Sequence, residues 1–248
     1  MIQVINKAFR ILEHISKEPE RAQPLNELAE LINASPAACS HLVKTLVSNA
    51  YLEQSEKRQG YKLGAMAYYL SRNGAYRQDL VNIIEPSLKE LTGSTGETSS
   101  FSQLHNSKKH VLCTCKSANP IQLDDTLLYL DPIYQTATGR VLMAHSGRRE
   151  QDLIIADHGL PGAAWDKISE TQAFYKKLDS LKKEDICIVE PQKDIVFMAV
   201  PIYMKDKIFG ALALSIPSYR LTADRRYFFS SELLRIAEKI KNDIAGHI

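Results

Sequence analysis

The chain has 248 residues and only four cysteines, Cys39, Cys113, Cys115 and Cys187. They are too few and too scattered for a disulfide framework. Cys113 and Cys115 lie two apart, on one face of a strand, where a mutual bond is geometrically poor, so buried thiols are expected. No apolar run reaches the roughly eighteen residues that a bilayer span requires. The first twenty residues, MIQVINKAFRILEHISKEPE, are amphipathic and hold three acids, unlike a secretory leader, which points to a cytoplasmic protein that does not enter membranes. There is no internal repeat, no low-complexity segment and no cofactor-binding motif. A strong charge of either sign is also missing. The net charge of +2 divides into +3 over residues 1–77 (ten Lys and Arg against seven Asp and Glu) and −1 over the remainder (twenty-one against twenty-two). The small positive excess therefore sits in the first third.

What that third contains is a helix, a short turn, a longer helix and a basic hairpin. Val4 to Ser16 reads as a helix with Ile5, Ala8, Leu12 and Ile15 on one side. Arg21 to Leu25 suits a short strand. Asn26 is placed to cap a helix carrying Leu28, Leu31 and Ile32, and Asn33-Ala34-Ser35 breaks it. Ser35 is a second N-cap with Pro36 at the first helical position, where a missing N–H costs nothing. The helix that follows buries Cys39, Leu42, Val43, Leu46 and Val47 and shows Ala37, Ser40, His41, Lys44 and Ser48 outward, a face without carboxylates. Two short β-like runs, Tyr51 to Gln54 and Tyr61 to Leu63, flank a polar tip with adjacent Lys57 and Arg58. This is the order of a winged helix-turn-helix, whose second helix enters the major groove. Ser40, His41 and Lys44 are expected to reach base edges, and Lys57 and Arg58 the backbone or minor groove. The same pattern also suits a plain helical core with a surface hairpin.

Beyond Gly64 a polar helix over Ala65 to Arg77 suits a linker, followed by a helix from Gln78 to Leu91 with Pro86 inside it as a kink or a true first turn. Strands are expected at Ser99 to His105 and His110 to Lys116. Ile121 to Pro132 fits no pattern. Helices are expected to start at Thr136-Ala137-Thr138-Gly139 and to span Arg148 to Asp157 and Thr171 to Lys183. Ile195 to Tyr203 and Ile208 to Ile216 are nearly unbroken apolar runs joined by a short turn, hence a hairpin of two buried strands. Thr222 caps a last helix bearing Leu233, Ala237, Ile240 and Ile244. Strands covered by helices from both ends of the segment make an α+β domain. For catalysis the candidates are Asp157-His158, His145 and the Cys113/Cys115 pair. None has the second partner that a nucleophile or metal needs, and Asp157-His158-Gly159 reads as a helix C-terminus.

Taken in order and spacing, these segments resemble the IclR family of bacterial transcription regulators over the whole chain. The matching pieces are Asn26 to Leu31, Thr45-Leu46, Tyr51 to Glu53, Gly60 to Gly64, Pro86-x-Leu88-x-x-Leu91, Thr95 to Thr98, Thr136 to Leu142, Ala199 to Ile202 and Ser215 to Thr222. The resemblance implies a winged helix-turn-helix over 1–64, a linker helix over 65–78 and a GAF-like effector-binding and oligomerisation domain over 79–248. It implies a repressor of a catabolic operon rather than an enzyme, acting as a homodimer or homotetramer on a palindromic operator in double-stranded DNA and answering to a small organic acid. It places the DNA face on Ser35, Ala37, Ala38, Ser40, His41, Lys44, Lys57 and Arg58. Many relatives carry Ser-Thr and His-Arg where this chain has Ala37-Ala38 and Ser40-His41, so the operator sequence read here differs. On local sequence Thr138 is an N-cap and Ala137-Gly139 a tight turn. The resemblance turns that helix start into an anion site, with Ala137, Thr138 and Gly139 facing Glu190, Phe197, Ala213 and Ser215. An apolar far wall at Phe197 and Ala213 then favours an acid with a hydrophobic body. Two rival readings are a DNA-binding protein whose second domain only oligomerises and an enzyme fused to a helix-turn-helix.

Overall fold

The structure is a computed structural model and describes residues 2–55, 59–71, 77–119, 133–192 and 194–247. The chain divides into two compact units, Met1–Tyr76 and Arg77–Ile248.

The first unit packs α1 (Gln3–Lys17), α2 (Leu25–Leu31) and α3 (Pro36–Ser48) around Ile11, Ile15, Leu28, Ala29, Ile32, Cys39, Val43 and Leu52. Strands β1 (Leu52–Gln54) and β2 (Tyr61–Leu63) form an antiparallel hairpin, with Leu52 opposite Leu63. Helix α4 (Ala65–Ser71) follows. The buried face of α1 is set by Ile11 and Ile15, one turn apart; of the stripe read from sequence Ile15 is buried and Leu12 packs on the core, while Ile5 is 46% exposed. Helix α2 starts one residue before the expected cap: Pro24, whose ring fixes an extended-to-helical entry, is the N-cap, and Asn26 lies inside the helix. The expected strand over Arg21 to Leu25 is reduced to a single bridge between Gln23 and Tyr61. That bridge requires glycine next to it. A Cβ on Gly60 would stand 2.5 Å from the Gln23 carbonyl oxygen.

The second unit is a five-stranded antiparallel sheet with helices on both faces. Its elements are α5 (Gln78–Thr95), β3 (Thr98–His105), β4 (Lys108–Cys115), a 3-10 turn (Ile133–Gln135), α6 (Ala137–His145), α7 (Arg148–His158), α8 (Thr171–Leu181), β5 (Cys187–Gln192), β6 (Ile195–Met204), β7 (Lys207–Pro217) and α9 (Ala223–Ala245). The strand order is β4-β3-β7-β6-β5. Each central strand divides its side chains between two cores. Val196, Met198, Val200, Leu212, Leu214 and Ile216 face α5 and α9. Phe197, Ala199, Ala211 and Ala213 face α6 and α8. The α6 side is thus lined by small residues, which lets that short helix lie close to the sheet. Helix α5 runs without interruption through Pro86, held by Leu80, Ile84, Leu88 and Leu91 on one buried stripe. The turn between β6 and β7 places Lys205 and Asp206 at φ 48° and 61°, the left-handed pair of a type I′ hairpin. The unplaced stretch Ile121 to Pro132 lies outside the described residues. No helix among those described is long and apolar enough to cross a membrane.

Candidate functional site

Two sites emerge, one in each unit. In the first, Ser35 caps α3 by accepting the Ala38 amide at 3.3 Å, with Pro36 at the first helical position. Cys39 and Val43 are fully buried, which fixes the helix's rotation and turns Ala37, Ala38, His41 and Lys44 to the surface, with Ser40 half-buried. The Thr45 hydroxyl donates to the His41 carbonyl at 3.0 Å and so stays on the helix. This exposed face holds no carboxylate, as phosphate proximity demands. Lys57 and Arg58 lie outside the described residues. Ala38 and His41 also border an apolar groove of about 470 Å³ between α1 and α3, whose other walls include Val4, Ile5, Ile32, Leu42 and Leu46.

In the second unit a small cavity of about 10 Å³ lies between the sheet and the start of α6. Thr136 caps α6, its hydroxyl accepting the Gly139 amide at 3.2 Å. The cavity is lined by Ser100, Ser102, Lys109, Val111, Thr136, Thr138, Phe197, Ala213 and Ser215. Lys109 donates from Nζ to the Thr136 hydroxyl at 3.3 Å. The Ser102 and Ser215 hydroxyls are buried and have no hydrogen-bond partner among the described residues. Such groups cost free energy unless something binds them. A helix N-terminus, a lysine and two unpartnered hydroxyls thus meet at one cavity.

Of the residues singled out in the sequence, Thr138, Phe197, Ala213 and Ser215 meet at this cavity. Ala137 and Gly139 are buried at the helix start but do not line it. Gly139 answers to packing instead: a Cβ there would lie 1.9 Å from the Ile133 carbonyl oxygen. Glu190 is exposed on β5, the sheet edge, and is not brought to the cavity. Ser100, Ser102, Lys109 and Thr136 were missed. The signal was present in Thr98-Ser99-Ser100-x-Ser102, a hydroxyl-rich run inside what reads as a buried strand. The wall is also more polar than Phe197 and Ala213 alone suggested.

The residues weighed for catalysis have structural partners. Asp157 bonds the Ser107 hydroxyl, and His158 Nε2 meets the Ser107 carbonyl at 2.8 Å, fastening the β3–β4 turn to α7. His145 pairs with the Tyr203 hydroxyl. Burial raises the Cys113 thiol to about 12, far from a reactive thiolate. Among the described residues no cluster fit for a metal ion occurs.

A winged helix-turn-helix joined to a separate α+β sheet domain is the architecture of a DNA-binding transcription regulator. Residues 4–56 match the IclR helix-turn-helix domain, and residues 73–242 match the C-terminal domain of the bacterial transcriptional regulator IclR. The chain belongs to the IclR family. It is 22% identical over 249 residues to the HTH-type transcriptional regulator KdgR of Escherichia coli K12, covering 99% of this chain and 94% of that protein. It is 18% identical over 248 residues to the Transcriptional repressor IclR of the same organism, covering 96% and 89%. The fold matches an IclR homolog from Microbacterium hydrocarbonoxydans, solved in complex with 4-hydroxybenzoate, with a TM-score of 0.67 at 16% identity over 98% of this chain and 99% of that one. These relatives are regulators rather than enzymes.

Proposed function

We propose that this regulator represses a catabolic operon and is released from its operator by a small organic acid received at the cavity between α6 and the sheet. The observation that carries the reading is the pair of orphaned hydroxyls, Ser102 and Ser215, beside Lys109 and the α6 N-terminus. The repressor name of one relative and the aromatic acid bound to one solved homolog support it. A cavity of about 10 Å³ has room for roughly one water. An acid therefore opens it, and moving α6 off its bed of small residues is the signal. Five hydroxyl-bearing residues line the cavity, which favours an acid that also carries hydroxyl or keto oxygens.

A single recognition helix reads few base pairs, so a palindrome read by two copies is required for specificity. On α1, Ile2, Val4, Ile5 and Phe9 are 46–68% exposed, and on α4, Tyr68, Tyr69 and Leu70 are 56–67% exposed. These faces suit pairing of two first units better than α5, whose apolar side chains are spent in the core of the second unit. Sedimentation that finds a monomer both free and on DNA refutes the pairing.

The functional test is operator release by a panel of organic acids, 4-hydroxybenzoate included, for the native protein and for Thr138→Val with Ser215→Val. Release abolished in the double variant, with operator affinity kept, supports the reading. Release unaltered in the variant places the receptor elsewhere. No release by any acid favours a second domain that only oligomerises.

A further inference from the structure

A cleft separate from that cavity opens at the other end of α6. Its volume is about 570 Å³, within the range of small-molecule sites. The β3–β4 turn, the loop after α6, the end of α8 and the β6–β7 turn surround it. Its floor is apolar, made by Leu104, Leu142, Ile208 and Phe209. Its charged groups are Lys182, Lys207, Glu150 and Asp206, two of each sign. Glu150 is held in place by the Ser107 amide, which donates to its Oε1 at 3.0 Å. His145 stands in the wall with its ring edge-on to Tyr203, the centroids 5.4 Å apart. The Tyr203 hydroxyl and His145 Nδ1 share a hydrogen bond. Burial, and then the charge of Lys182, push this imidazole down to about 4, so at neutral pH the ring is uncharged.

We propose that this cleft binds a zwitterion of the amino-acid type with an apolar side chain. The carboxylate meets Lys182 and Lys207, the ammonium meets Asp206 and Glu150, and the side chain lies on the Leu104–Phe209 floor, with the uncharged His145 ring in the wall. A simple anion leaves two carboxylates facing it unbalanced, and a simple cation does the same with two lysines. An apolar neutral molecule desolvates four charges and pairs none. The balance of the rim therefore selects a ligand with both charges.

Two variants isolate the cleft. A Cβ on Gly147, whose φ is −71°, meets nothing within 4 Å, so the side chain of Gly147→Trp projects into open space without backbone strain. Asp206 occupies the left-handed region at φ 61°, which asparagine also tolerates, so Asp206→Asn removes the charge and keeps the turn. The experiment is calorimetric titration of the full chain with L-leucine and L-phenylalanine, and with 3-phenylpropionate and phenethylamine as one-charge analogues. At least one amino acid is expected to bind saturably, one per chain, and each one-charge analogue about tenfold or more weakly. Binding should vanish in Gly147→Trp, weaken in Asp206→Asn and persist in Thr138→Val. Failure of both amino acids to bind at about 10 mM, equal binding of the analogues, or native affinity in Gly147→Trp each overturns the assignment. Because 3-phenylpropionate is also an organic acid, it is titrated in Thr138→Val with Ser215→Val as well, and only binding that persists there counts as binding in the cleft.

Discussion

Neighbouring hydroxyls at the cavity between α6 and the sheet are expected to respond to deletion with opposite signs. Thr136 is satisfied: it caps α6 through the Gly139 amide at 3.2 Å. Thr136→Ala removes that cap and costs about 1 kcal/mol. Ser215 and Ser102, 3% and 1% exposed, hold hydroxyls with no partner. An unsatisfied buried hydroxyl costs about 1–3 kcal/mol, against about 0.5–1 kcal/mol of dispersion lost with the oxygen itself. Ser215→Ala and Ser102→Ala should therefore each stabilise the second unit by about 1 kcal/mol, a rise of about 2–4 °C for a domain of this size. One ordered water bridging both hydroxyls brings the gain near zero, and the cavity volume of about 10 Å³ is at the lower limit for one. Thermal unfolding of the three variants without ligand, followed by far-ultraviolet circular dichroism, makes the comparison. Both serine variants should also lose response to the acid, so stability and function move in opposite directions. If either serine variant is destabilised as much as Thr136→Ala, the hydroxyls are partnered and the argument for a receptor at this place fails.

The other expectations concern the fold and the DNA face. Lys57→Ala with Arg58→Ala should weaken binding to all sequences and reduce the salt slope by about two phosphate contacts, measured by titrations across salt concentrations; an unchanged slope removes the hairpin from the interface. His41→Ala should instead alter preference among operator variants, by about 1–3 kcal/mol at one position. Gly60→Ala drives a Cβ against the Gln23 carbonyl at 2.5 Å and should lower the melting temperature of the first unit while leaving the second unchanged. The Arg235 and Ser94 hydrogen bonds hold the Glu232 carboxyl down to about 2. A lowered carboxyl contributes stability above its unfolded value, near 4.5, and loses it as pH falls toward 2. Glu232→Gln should thus cost about 1 kcal/mol at pH 7, a figure reduced for the half-exposed Arg235, and nothing near pH 2, as urea titrations at both pH values would register.

Pattern carried the sequence reading wherever one physical term dominates. Ser35-Pro36 named the start of α3 because capping and a fixed φ agree there. The two apolar runs of β6 and β7 were legible because burial on both faces removes alternation. The errors fall where two terms compete. In α1 the predicted face was right at Ile15, which is buried, and at Leu12, which packs on the core; it wrongly included Ile5, 46% exposed, and left out the buried Ile11. An exposed apolar stripe is indistinguishable in sequence from a core-facing one. Gly139 looked like room for a ligand and is room for the Ile133 carbonyl, since a glycine records only that something approaches. Glu190 came from the family pattern alone, and the solvent-facing edge of β5 leaves it away from the cavity. Ser100 and Ser102 went unread for the converse reason. Serines inside a strand count against burial when each is scored by itself. Once the strand is placed at the sheet centre, between β4 and β7, every buried hydroxyl needs a partner. Ser99 has one in the Leu88 carbonyl at 3.1 Å, and Ser102 and Ser215 have none. That inequality among hydroxyls of one strand pair arises only from three-dimensional neighbours, and it is what separates a polar core from a receptor.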